Sequence, residues 1–260
     1  MINRSSMLDQ TPESWRPPLF TALKNWVDRL MFTLRRLVDL QAVSIWADLS
    51  QELATVRGRV LDVGCGAQPY RCLFQPQVKY LGIDTTDAKS HFGYEVPDTK
   101  YFEGTAWPVS NCCIDFVLCT EALEHVPNPA QFLTEAARCL VTGGRILITG
   151  PFSARWHLIP YDYWRFTPSA LRDLLTAAVF QNISVYARGN AVTVASYKVK
   201  ALILPLLVPQ GHPLLAAIGL RLLGVLFLPA FLVLAAIGNL SLLGTGGNDC
   251  LGYTSKAEKA

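Results

Sequence analysis

The sequence has few charged residues and no dense run of basic ones. Charged side chains make up 17% of the 260 residues, and the formal net charge is only +3. No Lys/Arg stretch reaches the density of a nucleic-acid-binding surface, so we expect no DNA or RNA partner. The first thirty residues contain no short apolar segment followed by a small-residue cleavage site. The sequence therefore predicts no signal peptide, and we expect the body of the protein on the cytoplasmic side.

The seven cysteines form neither a metal-binding nor a disulfide pattern. Their number is odd, none belongs to a Cys-x-x-Cys pair, and several occur in apolar runs such as Ile114–Cys119. Metal sites and disulfide frameworks show regular cysteine spacing, which is absent here. We interpret these residues as reduced cysteines that pack as small hydrophobic side chains.

Apolar residues are abundant instead, and they are unevenly distributed. They make up 51% of the chain, and the mean hydropathy is +0.26. Between residues 201 and 243 the only full charge is Arg221, and Leu222–Gly238 is a run of 17 uncharged residues. Interruption by prolines favours a membrane-associated helical hairpin over a true span, and helices packed into a dimer or a lid are a third alternative. The prolines are Pro205, Pro209, Pro213 and Pro229.

An amphipathic segment precedes the rest of the fold. Apolar residues recur at helical spacing from Leu19 to Val38, and most of the basic residues fall between them. This pattern predicts a helix that either packs over the core and the mouth of a binding site or rests on a membrane surface. A second helix is predicted from Ala42 to Ala54.

From residue 59 onward, predicted strands alternate with predicted helices. A helix is expected at Pro129–Leu140, and Thr167 followed by Pro168 is a typical helix start. The alternation predicts a doubly wound α/β fold, and a last strand at Leu251–Lys256 makes the apolar segment an insertion. The other predicted strands are 59–63, 79–83, 114–119 and 144–149.

The most informative stretch is Val60–Gly66. Its apolar strand ends at Gly64 and Gly66, which permit a sharp turn at the edge of the sheet where ligands bind. Asp84 ends the next predicted strand, 18 residues after Gly66, and its carboxylate can accept both hydroxyl hydrogens of a ribose. This spacing suits a nucleoside cofactor or a dinucleotide. Pro69 replaces the third glycine of the dinucleotide motif, which disfavours NAD.

Four motifs follow one another along the chain: Leu61–Gly66, Gly82–Asp84, Glu121–Val126 and Leu140–Arg145. In this order they resemble the class I S-adenosylmethionine-dependent methyltransferases, specifically the broad type-11 methyltransferase-domain group. The run Pro160–Pro168 is also similar, and the resemblance covers about residues 57–187 and the last strand. It implies a Rossmann-like sheet of seven mostly parallel strands with helices on both faces, with S-adenosylmethionine as the cofactor.

The resemblance also implies cofactor contacts residue by residue. Asp84 would hold the ribose, and Gln68 replaces the last glycine of the family's motif, so the shape of that turn departs from the pattern. The resemblance places Asp62, Gly64, Cys65 and Gly66 at the methionine end of the cofactor. Thr105 and Ala106 would contact the adenine, and Thr120 and Glu121 would flank the sulfonium.

His125 is the nearest candidate for a general base. Methyl transfer is an in-line displacement that requires alignment and, for some acceptors, removal of a proton. Some relatives bind a divalent metal through a Glu-x-x-Glu-His arrangement, and a structural histidine is a further alternative. A metal is not expected here, but its candidate ligands are Glu121, Glu124, His125 and His157.

Asp162 lies between two tyrosines in the loop after the fifth strand. That loop would cover the acceptor, so Asp162 is a candidate catalytic or orienting residue. Packing of the neighbouring aromatic side chains is an equally simple interpretation.

The resemblance, together with the apolar segment, thus implies a methyltransferase of the EC 2.1.1 type that modifies an oxygen of a small, lipid-linked or glycan acceptor at the cytoplasmic face of the membrane. Membrane contact is expected through residues 201–243, and a homo-oligomer remains open. The alternative is a non-catalytic membrane-associated module that retains the fold. The predicted parts are an N-terminal helical extension (1–56), the methyltransferase core (57–198), the apolar hairpin (199–247) and the last strand with the tail (248–260).

Overall fold

The computed structural model describes residues 25–260 apart from residues 89, 91–95 and 97. The predicted helix residues before residue 25 lie outside this part. Two helices, α1 (Trp26–Val38) and α2 (Leu40–Leu53), precede the sheet. They are separate because Asp39 adopts an extended conformation between them, and its carboxylate accepts the N–H of Ala42 at the start of α2.

Seven strands form one sheet: β1 (Arg59–Val63), β2 (Lys79–Thr85), β3 (Thr99–Phe102), β4 (Ile114–Thr120), β5 (Leu140–Pro151), β6 (Phe180–Arg188) and β7 (Gly252–Lys259). Their spatial order is β3-β2-β1-β4-β5-β7-β6, and β7 is antiparallel to both of its neighbours. The predicted Rossmann-like fold is confirmed. The strand order reverses between β1 and β4, which is where sheets of this kind bind ligands.

Four helices follow β4: α3 (Pro129–Cys139), α4 (Pro168–Ala177), α5 (Ala191–Leu207) and α6 (Leu214–Ser241). Asn128 and Thr167 cap α3 and α4 through their side-chain oxygens, and each is followed by a proline in the first turn. The helix start predicted at Thr167 is therefore confirmed. A short 3₁₀ turn, Leu123–His125, connects β4 to α3.

The core has one apolar layer on each face of the sheet. Because neighbouring residues of a strand point to opposite faces, Val60 packs with α2 whereas Leu61 packs with α3 and α4. The same division separates Phe116 from Val117 and Ile146 from Leu147. Burial of each such side chain stabilises the fold by roughly 1.5–3 kcal/mol. These two layers hold the carboxyl ends of β1, β2 and β4 at a common edge.

The apolar segment between β6 and β7 forms a helical pair, α5 and α6. The helices approach closely at Gly224, where an added Cβ would lie 2.8 Å from the backbone of Leu206. Of the four prolines, Pro209 and Pro213 lie in the connection between the two helices, whereas Pro205 lies inside α5 and Pro229 inside α6. Prolines are tolerated there when surrounding groups satisfy the freed backbone carbonyls. Among the residues described, α6 alone is long and apolar enough to cross a membrane, with a mean hydropathy of 2.4.

Candidate active site

The glycine turn after β1 and the acidic end of β2 are in direct contact. Gly64 and Gly66 both adopt positive φ angles, and a Cβ added to Gly64 would lie 2.6 Å from the Cβ of Ala122. The carboxylate of Asp84 accepts the N–H of Gly66 at 3.0 Å and the N–H of Thr85 at 2.8 Å. Burial raises the pKa of Asp84. The predicted residues Gly64, Gly66 and Asp84 are thus brought together at the reversal point of the sheet.

Asp62 is buried one step before this turn, and its partner is Tyr80. The Tyr80 hydroxyl donates to Oδ2 of Asp62 at 2.6 Å. Burial raises the pKa of Asp62 to about 7, although the tyrosine bond works in the opposite direction. Tyr80 was not predicted from the sequence as a site residue. The signal for it is that Tyr80, a polar aromatic residue, pairs with Val60 on the neighbouring strand.

Gln68 occupies the position of the family's last glycine without opening the turn. Its φ of +54° is a left-handed conformation that glycine adopts readily. Two hydrogen bonds of its side-chain amide offset the cost of this conformation. Nε2 donates to Thr99 Oγ1 at 3.0 Å, and Oε1 accepts from Arg71 at 3.0 Å. The thiol of Cys65 also lies against Thr99, at 3.4 Å. A ligand contact by Cys65 would therefore come from its backbone.

The other predicted cofactor residues follow β3 and end β4. Thr105 and Ala106 are exposed in the loop after β3, where Gln131 of α3 donates to the Thr105 hydroxyl at 2.9 Å. The Thr120 hydroxyl is buried and has no hydrogen-bond partner among the described residues. Glu121 has a φ of +49°, and one of its carboxylate oxygens lies 2.7 Å from Nη2 of Arg188. Nothing in the sequence signalled this arginine.

Three of the four candidate metal ligands converge. Ligand atoms of Glu124, His125 and His157 lie within 4.8 Å of one another, whereas the carboxylate of Glu121 binds Arg188. One carboxylate with two imidazoles is a donor set that suits zinc or a similar transition metal. Both carboxylate oxygens of Glu124 are buried and without a hydrogen-bond partner in the described part of the chain. The expectation that these residues hold no metal stays a prediction.

His125 is held in one tautomer. Its Nδ1 lies 2.7 Å from the carbonyl oxygen of Tyr161, so Nδ1 carries the proton and donates it. The other nitrogen, Nε2, is 3.8 Å from the Glu124 carboxylate. Burial lowers the pKa of His125 to about 4, and the neighbouring His157 acts in the same direction. The imidazole is therefore neutral at physiological pH.

Asp162 holds the loop beside this histidine in place. Its side chain is 0% exposed, and Arg165 contacts its two oxygens at 2.6 and 2.7 Å. It also accepts the backbone N–H of His157 at 3.0 Å. Burial alone would raise its pKa, but these partners hold the pKa of Asp162 well below its usual range. The contacts suit a residue that positions the loop, and direct action on an acceptor stays a prediction.

The same loop is fastened to the 3₁₀ turn that carries His125. The N–H of Tyr163 donates to the carbonyl of Glu124, and the Trp164 indole donates to the carbonyl of Val126, both at 2.9 Å. The loop is thus held against the segment that follows β4.

Comparison with known proteins identifies the family. A family model described as a methyltransferase domain matches residues 35–185, more than half of the chain. The chain belongs to this family. The resemblance stated for the sequence motifs, to class I S-adenosylmethionine-dependent methyltransferases, is thereby confirmed.

Two curated relatives of this methyltransferase show how far sequence similarity extends. An uncharacterized methyltransferase of Bacillus subtilis, YcgJ, is 31% identical over 104 residues, which cover 36% of this chain and 41% of the relative. The ubiquinone biosynthesis O-methyltransferase of Dechloromonas aromatica is 32% identical over 113 residues. These residues cover 40% of this chain and 48% of the relative. The matched part spans less than half the length of each relative.

Solved structures agree in fold. A SAM-dependent methyltransferase of Archaeoglobus fulgidus has a TM-score of 0.51 at 16% identity and covers 88% of this chain and 99% of its own. A SAM-dependent methyltransferase of Thermotoga maritima has the same TM-score and identity, with 92% and 97% covered. At this identity the likeness shows the fold of the methyltransferase core.

Proposed function

We propose that this methyltransferase transfers the methyl group of S-adenosylmethionine to an oxygen of a lipid-linked or membrane-presented acceptor at the cytoplasmic face of the membrane. The observation that carries the proposal is the long, apolar and exposed face of α6, in which Arg221 is the one charged residue, in a chain that retains the glycine turn and Asp84. The O-methyltransferase named among the relatives supports oxygen as the target.

The site residues support proton removal coupled to methyl transfer. When bound, S-adenosylmethionine supplies an electrophilic methyl group on a positively charged sulfur. Nε2 of His125 is the unprotonated nitrogen, so it would be the atom that takes the hydroxyl proton of the acceptor. The fastened loop around Asp162 keeps this imidazole in place, which favours alignment.

Helix α6 exposes an apolar face to its surroundings. The helix has 28 residues and is about 42 Å long at 1.5 Å per residue. Its inner face, which includes Ala217, Phe231 and Ala235, is buried. Water is a poor environment for a continuous apolar surface of this length, and acyl chains are a good one. The exposed residues include Leu214, Leu215, Ile218, Leu222, Val225, Leu226, Leu232, Val233 and Leu240.

Helix α1 turns its apolar stripe outward as well. Trp26 is 74% exposed and Leu30, Leu34 and Leu37 are also exposed, whereas Phe32 on the opposite side is buried against Trp46. Of the two interpretations left open by the sequence, the membrane-surface helix is therefore the one that this orientation supports.

Hydrogen bonds join α1 to the hairpin. Nδ2 of Asn239 donates to the carbonyl of Leu37 at 2.9 Å, and the ammonium of Lys200 donates to the carbonyl of Val38. The last carbonyls of α1, which have no partner within their own helix, are satisfied in this way. The two exposed apolar faces consequently belong to one packed unit, and an acceptor anchored in lipid would share that surface with the enzyme.

Charge substitutions on α6 test the membrane part of the proposal. Leu222 and Leu226 are 69% and 72% exposed, so glutamate at both positions leaves the core intact. We expect the wild-type full chain to float with phosphatidylcholine–phosphatidylglycerol vesicles and Leu222→Glu/Leu226→Glu to remain in the dense fraction, with equal affinity for S-adenosylmethionine. Gln181→Glu on the exposed surface of β6 is the matched control. Failure of the wild type to float with the vesicles would contradict the proposal.

Transfer of a labelled methyl group tests the acceptor class. Membranes and cytosol are incubated separately with the enzyme and methyl-labelled S-adenosylmethionine, and organic and aqueous extracts are counted. We expect label in the organic extract of the membranes. The label should survive treatments that leave methyl ethers intact. Label found only in aqueous products would contradict a lipid-linked acceptor, and no transfer to any fraction would favour the non-catalytic alternative.

A further inference from the structure

We infer that Arg188 is a positioning residue that fixes the carboxylate of Glu121 beside the reacting end of the cofactor. The inference rests on the proposed function, because it takes Glu121 to flank the sulfonium as the family resemblance implies. It adds a residue from the far edge strand of the sheet to a site otherwise built from β1, β2 and β4.

The side chain of Arg188 reaches the site by crossing the neighbouring strand. Arg188 ends β6 and is in register with Gly252 of β7, which in turn is in register with Pro151 of β5. Beyond that strand, Nη2 donates to the carbonyl of Gly150 at 3.1 Å and to Oε1 of Glu121 at 2.7 Å. The arginine therefore spans the amino end of β7 and the carboxyl end of β5 to meet the residue that follows β4.

A glycine makes this crossing feasible. A Cβ added to Gly252 would lie 2.3 Å from Nη2 of Arg188 and 2.3 Å from the carbonyl oxygen of Gly150. Both distances are far below van der Waals contact. Any larger residue at this position would displace the guanidinium from its place between the two strands and Glu121.

The guanidinium is also fixed from the side of α2. Nη1 lies 3.3 Å from Oε1 of Gln41 and 3.3 Å from the hydroxyl of Ser44. The arginine side chain is 1% exposed, so it is enclosed by these partners, whereas the side chain of Glu121 is 27% exposed. The arginine of this ion pair is thus buried and held in place, whereas the carboxylate of Glu121 is partly exposed.

Two constraints together determine where the Glu121 carboxylate lies. The backbone is held at a φ of +49° by the N–H bond of Glu121 to the carbonyl and the hydroxyl of Thr149. Arg188 then holds the side chain in one direction, and the Glu121 carboxylate is not among the ligand atoms that cluster at Glu124, His125 and His157. The result is a carboxylate of defined position at the end of β4, with the guanidinium as its partner on the buried side.

A carboxylate in this place favours a positively charged ligand over a neutral one. S-adenosylmethionine carries a sulfonium, and S-adenosylhomocysteine, its demethylated product, carries a neutral thioether. Glu121 should therefore strengthen the binding of the first more than that of the second, and loss of Arg188 should reduce this preference because the carboxylate is no longer held in place.

A double-mutant cycle on ligand affinity tests the inference. The dissociation constants of both ligands are measured by calorimetry on the full chain for wild type, Arg188→Met, Glu121→Gln and the double variant. We expect each single substitution to weaken S-adenosylmethionine binding by roughly tenfold, the double variant to weaken it by no more than the larger single effect, and S-adenosylhomocysteine binding to change by less than threefold.

Control variants separate positioning from general stability. Arg59→Met removes an ion pair with Asp115 at the opposite end of β4 and should leave both affinities unchanged. Arg188→Lys keeps the charge and should restore part of the preference; it also replaces Arg188→Met in the cycle if that protein does not fold. Multiplicative single effects, or an equal loss for both ligands, would overturn the inference. Absence of binding to the wild type would instead overturn the proposed function.

Discussion

The carboxylate of Asp84 accepts a 3.0 Å hydrogen bond from the backbone N–H of Gly66. This bond joins the carboxyl end of β2 to the glycine turn after β1, at the point where the strand order of the sheet reverses. Each carboxylate oxygen has a second lone pair, so the contact leaves Asp84 able to accept the hydroxyl hydrogens of a ribose. The two residues that the sequence spacing brought together are therefore also bonded to one another.

Substitution of Gly64 by alanine should destabilise the glycine turn. The residue has a φ of +68°, and an added Cβ would lie 2.6 Å from the Cβ of Ala122. We expect a loss of several kcal/mol in the free energy of unfolding, about 2 kcal/mol or more beyond the backbone strain alone. Chemical denaturation followed by circular dichroism measures it.

Gly211→Ala is the matched control for Gly64→Ala. Gly211 has a similar φ of +71° in the turn between α5 and α6, but nothing lies within 4 Å of its added Cβ. It reports the cost of backbone strain without a clash. Equal destabilisation by the two substitutions would show that the contact between Gly64 and Ala122 is not tight.

His125 should make the fold less stable in mild acid. Its pKa is about 4 in the folded protein and about 6.5 when unfolded, so the unfolded chain binds the proton first as the pH falls. The contribution of His125 is fully present above pH 6.5 and is lost toward pH 4, with a limiting slope of about 1.4 kcal/mol per pH unit. We expect His125→Gln to remove this component.

The measurement is the difference in unfolding free energy between wild type and His125→Gln from pH 4 to pH 7.5. His212→Gln serves as the control, because His212 is exposed in the turn of the hairpin. A difference that does not vary with pH would mean that His125 is not held neutral by burial.

Removal of the Tyr80 hydroxyl should raise the pKa of Asp62 further. Burial already raises it to about 7, and the bond from Tyr80 opposes that shift. A folded-state pKa above the unfolded value means that stability falls as the pH rises from about 4 to 7. In Tyr80→Phe this decline should continue above pH 7, and the variant should lose about 1–2 kcal/mol.

Unfolding by urea across pH 5 to 9 detects this change. Tyr186→Phe is the control, because Tyr186 is an exposed tyrosine on β6. A pH profile of Tyr80→Phe parallel to that of the wild type would contradict the assigned bond.

The sequence could predict the parts of the fold and site that depend on local signals. Such signals depend only on residues that are close in the sequence. Examples are the apolar run before Gly64, the acidic residue that ends β2 and the cap at Thr167. The 3.6-residue periodicity of α1 likewise predicted a helix. It could not show that the apolar stripe faces outward, because direction depends on how Phe32 packs against Trp46.

Contacts between distant segments were beyond such reasoning. Arg188 lies 67 residues after Glu121, and it reaches the site across β7, which lies between β5 and β6 and has a glycine at the crossing point. Similarly, the sequence favoured a helical hairpin but could not show that its two helices pack closely at Gly224. In both cases tertiary contacts determine the outcome.

Titration with S-adenosylmethionine is the most direct test of the central claim, that the glycine turn and Asp84 form a working cofactor site. We expect one-to-one binding by the wild type, roughly a hundredfold weaker binding by Asp84→Ala through loss of two hydrogen bonds to the charged carboxylate, and unchanged binding by Asp115→Ala at the other end of the sheet. Absence of binding by the wild type, or equal affinity in Asp84→Ala, would contradict the account.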